Sequence, residues 1–245
     1  MNTIKKLSIL LQEMVQVIKN SNKTYRLTSG AYFAHVFNSS INGCAWLVNT
    51  PFSPGRWAIT YQELYVLFRT IQALKPQYIM ELGLGQSSIM LSRYCSHYPD
   101  VSCTTIEHDK SWVDFFNAEH QIPANLNLKV LPLAQEKIAR HLFYKYEGSL
   151  TQYVTAPLEL IIVDGPFSST RNSRSQFLEL VPGYINPEKF VIILDDVERK
   201  GEKETTKLLL KALRDAAIPH KSYKYQGEKD FFVVCSPAYG FLLSL

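Results

Sequence analysis

Four short apolar runs in this chain each close on an acid. They are YIMEL at 78–82, with Glu81; VSCTTIE at 101–107, ending on Glu107; LELIIVD at 158–164, ending on Asp164; and FVIILDD at 190–196, ending on Asp195 and Asp196. Short continuous apolar runs read as strands covered on both faces, because a strand with one wet face alternates apolar and polar residues. The segments between them carry helical spacing. Leu64, Leu67, Phe68, Ile71 and Leu74 mark one face of a helix that opens on a capping box, Thr60 with Glu63, and stops at Lys75-Pro76. Strands alternating with helices predict an α/β fold with a doubly wound, mostly parallel sheet.

The same reading places helices over 87–94, 136–146, 173–181 and 202–216, a further helix with Ser111 as its N-cap, and a strand over 128–131. Two extended segments, Lys221–Tyr225 and Asp230–Cys235, flank Gly227 and predict a closing antiparallel pair at the sheet edge. The N-terminal residues read as an amphipathic helix followed by an irregular, aromatic-rich segment from Tyr25 to Trp57. That segment is either a cap over a pocket or a packing arm over the sheet. The chain thus divides into an N-terminal helix and cap (1–58) and an α/β domain (59–245).

Hydrophobic residues make up 46% of the 245, enough for a large core without disulfides, and the four cysteines have no metal-ligand spacing. A net charge of +4, with no dense basic run, argues against a nucleic-acid face. No apolar stretch reaches the roughly 18 residues of a membrane span. These features point to a cytoplasmic protein and leave a homodimer open.

In an open parallel sheet, ligands gather at the carboxyl ends of the strands. Acids at several such ends share one crevice and need a cationic ligand, a metal or nearby Lys and Arg for compensation. Gly83 and Gly85 follow Glu81 and let the backbone turn tightly against a ligand. A helix beginning near Ser87 then aims free N–H groups at the same place. Glu107 comes 26 residues after Glu81, a spacing suited to gripping ribose hydroxyls. A nicotinamide dinucleotide calls for GxGxxG, and here the third glycine is missing.

The pattern Glu81-x-Gly83-x-Gly85 resembles the ExGxG motif of the class I S-adenosylmethionine-dependent methyltransferases. The likeness runs from about residue 57 to Cys235, through MELGLGQSS, TTIEHD, LIIVDGP and VIILDDVER. It implies a Rossmann-like methyltransferase fold and S-adenosylmethionine as cofactor. The turn from Glu81 through Gly85, with Ser87, would hold the methionine portion, Glu81 lying near its ammonium. Glu107 would take the ribose hydroxyls, His108 would lie beside the adenosine, and Asp164 would sit near the transferring methyl group.

The stretch from Val163 to Asp196 is similar to cation-dependent small-molecule O-methyltransferases of the caffeoyl-CoA type. That likeness implies a divalent cation such as Mg²⁺ on Asp164, Asp195 and Asp196, with Asp196 standing where the family has asparagine. The other reading has Asp195 or Asp196 capping the next segment and pairing with Arg199. Asp164, Asp195, Asp196 and His35 are candidate proton acceptors. Arg171, Arg174 and Arg199 either pair with these acids at the surface or recognise an anionic acceptor. VDGP, R..SR and DDVER look like bacterial-type methyltransferases associated with glycan or surface-polymer synthesis. The expected acceptor is therefore a small molecule or glycan precursor, methylated on oxygen. Trp57, with Trp46, Phe52 and Tyr61, is available as an aromatic wall for that acceptor or for the core.

Overall fold

The computed structural model describes residues 3–55, 58–138, 141–167 and 171–244. Its elements are α1 (Thr3–Ile41), α2 (Tyr61–Leu74), β1 (Tyr78–Leu82), α3 (Gln86–His97), β2 (Ser102–Glu107), α4 (Lys110–Glu119) and β3 (Leu126–Val130), then β4 (Leu133–Ile138), β5 (His141–Tyr146), β6 (Leu160–Val163), β7 (Val191–Leu194), α5 (Lys200–Asp215), β8 (Lys221–Tyr225) and β9 (Phe231–Cys235). The main sheet runs β3-β2-β1-β6-β7-β9-β8. Its first five strands are parallel, and β9 pairs antiparallel with both β7 and β8. The order reverses beside β1, where the chain switches from one side of the sheet to the other, and this opens a crevice at the strand ends.

The sheet register brings the acids together. Glu81 faces Thr105 across β1 and β2, Leu82 faces Val163, and Val163 faces Leu194. Glu107, Asp164 and Asp195 therefore leave the same edge. Two apolar layers hold this edge in place. One contains Leu64, Leu67, Ile71 and Leu74 of α2 against Ile79, Cys103, Ile162 and Ile193. The other contains Met80, Leu82, Ile161, Val163, Ile192 and Leu194 against Leu209 and Leu213 of α5. Each fully buried Leu or Ile contributes about 1.5–3 kcal/mol, so the sheet is a rigid platform for its strand ends.

Several local expectations change. The first helix does not stop before the aromatic segment; it continues to Ile41. Phe33 and Phe37 lie one turn apart on one face and are buried, which anchors this part of α1 against α2. Arg26 also reaches Asp230, 3.3 Å away. Residues 7–24 of α1 are exposed, including Leu7, Leu10, Leu11, Met14 and Ile18. The helix expected over 136–146 is instead the antiparallel hairpin β4–β5. Tyr146 explains the choice: its ring is fully buried beneath the end of β6, and strand alternation delivers it there while Lys145 turns out to pair with Glu136. Residues 175–180 form a 3-10 turn rather than an α-helix. Helix α4 is capped by Asp109, whose carboxylate accepts the Ser111 and Trp112 N–H groups, and Ser111 lies inside the helix.

Candidate active site

At the carboxyl edge of β1, β2, β6 and β7 lies a cavity of about 940 Å³. Gly83, Leu84, Gly85, Gln86 and Ser87 line one end, with Glu107, His108 and Trp112 opposite. Asp164, Gly165, Phe167, Arg174, Asp196, Arg199 and Lys229 line the other end, and Ser53, Ala58 and Ile59 close a side. The segment after α1 thus reaches the cavity rim.

The glycine turn has a steric basis. Gly83 takes φ +99°, and a Cβ there would lie 3.0 Å from the Gly165 nitrogen. Gly165 is equally constrained, because a Cβ would run into the Tyr146 hydroxyl and come within 2.8 Å of the Gly83 nitrogen. The two glycines let the ends of β1 and β6 touch. At Gly85 a Cβ would meet nothing within 4 Å, so the missing side chain widens the cavity. A ligand can approach the backbone there, at the N-terminus of α3.

Glu107 is the best-held acid. One carboxylate oxygen accepts the Leu84 N–H at 2.9 Å, which ties β2 to the turn after β1. The other accepts the N–H groups of His108 (2.6 Å) and Asp109 (2.9 Å). Its side chain is 7% exposed, and the His108 ring nitrogen stands 2.7 Å away. Burial pushes its pKa up, but hydrogen bonds from His108, Asp109 and Leu84 outweigh burial and hold it below the usual glutamate value. It is an ionised acceptor facing the cavity. The His108 ring stacks edge-on against Phe167, with centroids 4.3 Å apart, and Trp112 donates its indole N–H to the Leu84 carbonyl at 2.8 Å.

Glu81 takes a different position from the expected one. It is fully buried and does not line the cavity. It lies beneath the turn, where one oxygen accepts the hydroxyls of Ser88 (2.7 Å) and Thr105 (2.8 Å). Ser88 in turn accepts the Gly85 N–H at 2.9 Å. Burial, which these hydroxyls partly offset, pushes the Glu81 pKa up to about 7. Glu81 therefore positions the turn from behind.

Asp164, Asp195 and Asp196 do come together: each offers an oxygen within 4.8 Å of the others. Cationic side chains already fill the space between them. Arg174 stands 3.2 Å from Asp164 and 2.9 Å from Asp196, and donates to the Pro166 carbonyl at 3.1 Å. Arg199 lies 2.9 Å from Asp196. Lys229 lies 2.9 Å from Asp195 and 3.6 Å from Asp196. Arg174 and Asp196 both adopt left-handed backbone, with φ +58° and +61°, which costs a non-glycine residue roughly 1 kcal/mol or more. The ion pairs offset that cost. The donor set thus has the oxygen atoms for a divalent ion but no uncompensated charge to hold one, and the cation site expected here does not fit. Burial and the neighbouring Asp195 push the Asp164 pKa well up, while Arg174 and Lys229 pull it back.

The remaining candidates separate. Arg171 turns away to Glu204, 2.6 Å distant, and is outside the cavity lining. His35 is exposed on α1 and likewise does not line it. Trp46 packs between Phe68 and Tyr94, and Phe52 and Tyr61 pack on Phe37, so these rings serve the core. Trp57 lies outside the described residues. Sequence reasoning misses Lys229 and Glu63. Glu63 donates its backbone N–H to the N-cap Thr60 at 3.3 Å, as the capping box requires. Its carboxyl, however, is buried beside Asp195. Burial and the charges of Asp195 and Asp164 push its pKa well above normal. Neither contact is local in sequence, so neither leaves a motif to read.

No family model and no curated protein matches the chain by sequence. Solved structures do match it. The O-methyltransferase TomG from Streptomyces achromogenes, involved in tomaymycin synthesis and solved with S-adenosylmethionine, superposes with a TM-score of 0.52 at 17% identity, covering 74% of this chain and 82% of TomG. An O-methyltransferase from Bacillus cereus, solved with S-adenosylhomocysteine, gives 0.54 at 15% identity, covering 88% of this chain and 99% of that one. The ordered acids, the glycine turn, the strand order and these matches agree: the chain has the fold of the class I S-adenosylmethionine-dependent methyltransferases.

Proposed function

We propose that this protein is an S-adenosylmethionine-dependent methyltransferase that methylates an oxygen of a small, polar acceptor such as a glycan precursor. The observation that carries the reading is Glu107, ionised and anchored to the Leu84 N–H across the mouth of the glycine turn. That placement offers a carboxylate to vicinal hydroxyls of a ribose. Gly83, Gly85 and Ser87 would receive the amino-acid end of the cofactor, and His108 and Trp112 would wall its adenosine.

When bound, the cofactor supplies a methyl group already activated on a sulfonium. The protein's contribution is to hold the acceptor in line and to receive its proton. With the methyl group supplied in this way, the acceptor hydroxyl would give up its proton to Asp164, while Gly83, Gly85, Ser87 and Glu107 would hold the cofactor at the other end of the cavity. Asp164 suits that role because it lines the cavity and its side chain is 31% exposed. Its raised pKa also makes it a stronger base than an ordinary aspartate once ionised. Arg199, at the same end, borders the space left for the acceptor. An NAD-linked oxidoreductase is disfavoured by the missing third glycine and the antiparallel β8–β9 closure.

Calorimetry with S-adenosylhomocysteine and with NAD tests the reading. Binding of the former and not the latter is expected. Binding of NAD alone would replace the reading with a dehydrogenase, and binding of neither would leave a non-catalytic protein that shares the fold. An acceptor screen that detects released S-adenosylhomocysteine then identifies the substrate.

A further inference from the structure

We propose that Lys229 and Arg174 together replace the divalent cation at the acceptor end of the cavity, so that this enzyme works without metal and presents an ammonium to the acceptor. The inference rests on the methyltransferase reading above. Its foundation is the pairing of the three aspartates. Both oxygens of Asp195 are engaged, one by the Asp196 N–H at 2.6 Å and the other by Lys229 at 2.9 Å. One oxygen of Asp196 accepts from two guanidinium groups, those of Arg174 and Arg199, each at 2.9 Å. Asp164 faces Arg174.

Three acids, Asp164, Asp195 and Asp196, thus meet three cations, Arg174, Arg199 and Lys229. Burial and the charges of Asp195 and Asp164 push Glu63, a further buried acid beside Asp195, toward its neutral form. A dication entering this group would add positive charge where the acids are already matched by cations in a largely buried site, which costs several kcal/mol. It would also have to displace Arg174, which is 6% exposed and held by the Pro166 carbonyl as well as by the acids.

Lys229 is placed to do what such a cation would do. It is 12% exposed, lines the cavity, and rises from the turn between β8 and β9. An ammonium carries three N–H donors. One goes to Asp195 and the nitrogen lies 3.6 Å from Asp196, so a donor remains for the cavity that Lys229 lines. A hydroxyl that accepts this bond is oriented beside Asp164 and made more acidic by the adjacent positive charge. The chemistry fits a polyhydroxyl or phenolic acceptor, whose hydroxyl can accept an N–H of Lys229.

Direct Mn²⁺ binding, followed by electron paramagnetic resonance on the purified full chain, tests the idea independently of activity. The wild type is expected to bind no Mn²⁺ up to millimolar concentration, and the Lys229→Met variant to gain a site of at least tenfold higher affinity that Lys229→Arg does not gain. If Lys229→Met does not fold, the charge-conserving Lys229→Arg and the wild type still decide. Micromolar Mn²⁺ binding by the wild type, lost in Asp195→Asn, would overturn the proposal. In the acceptor screen, release of S-adenosylhomocysteine should persist unchanged in EDTA; a loss of tenfold or more, restored by Mg²⁺, would also overturn it. Failure of the wild type to bind S-adenosylhomocysteine would sink the underlying function and leave the Mn²⁺ result standing alone.

Discussion

Glu81 and Glu107 at one end of the cavity, and Asp164, Asp195 and Asp196 at the other, look alike in sequence and are treated differently by the fold. At the first end the cavity lining holds no lysine or arginine among the described residues. Backbone N–H groups hold Glu107, and the hydroxyls of Ser88 and Thr105 hold Glu81. Glu107 keeps its full charge and its exposure to the cavity, as a ligand-binding group must. At the second end the chain supplies Arg174, Arg199 and Lys229, and Asp195 and Asp196 are consumed in ion pairs while Asp164 keeps a face to the cavity. An acid at a strand end therefore marks the site, but only its partners reveal whether it is available to a ligand.

The sharpest way to break this contrast is to remove a cation. Arg174→Met takes from Asp164 its ion-pair partner and from Asp196 one of its two guanidinium partners, and should cost roughly 3 kcal/mol in denaturant unfolding. An effect below about 1 kcal/mol would show that the cluster is not sustained by ion pairing. Glu107→Ala acts on the other end. It should weaken S-adenosylhomocysteine binding by about 1–3 kcal/mol, as expected for lost charged hydrogen bonds, and an unchanged dissociation constant would remove Glu107 from the binding site.

Glu81 separates the two ends by pH. Its pKa is raised by burial from 4.5 to about 7. The folded state therefore favours the protonated form, and its contribution to stability is complete below 4.5 and lost as pH rises through about 7. Glu81→Gln should flatten the fall of unfolding free energy in that window by up to about 1.4 kcal/mol per pH unit. An unaltered slope would mean that Glu81 is ionised in the native state. The smallest effect belongs to Ser88→Ala, which removes one link between Glu81 and the Gly85 N–H and should cost about 1 kcal/mol of stability.

The first end is legible in the sequence and the second only half so. Strand-end acids show because buried parallel strands are short unbroken apolar runs, and Glu81, Glu107, Asp164 and Asp195 each terminate one. Gly83 shows because only glycine takes its left-handed turn easily. Lys229 and Glu63 do not show, since each meets Asp195 through the fold from a distant part of the chain. The β4–β5 hairpin is hidden because its helix-compatible residues are overruled by burial of Tyr146, a tertiary effect. The full length of α1 is hidden because the turn residues and scattered aromatics from Tyr25 onward fit no regular period, whereas burial of Phe33 and Phe37 against α2 carries the helix on to Ile41.

The central claim is that the glycine-turn end holds the cofactor and the aspartate end handles the acceptor. Calorimetric titration of S-adenosylhomocysteine into the wild type, Glu107→Ala and Asp164→Asn tests it most directly. Binding by the wild type, weakened about fivefold or more in Glu107→Ala and within about twofold of wild type in Asp164→Asn, is the predicted result. No binding by the wild type, or equal weakening in both variants, would contradict it.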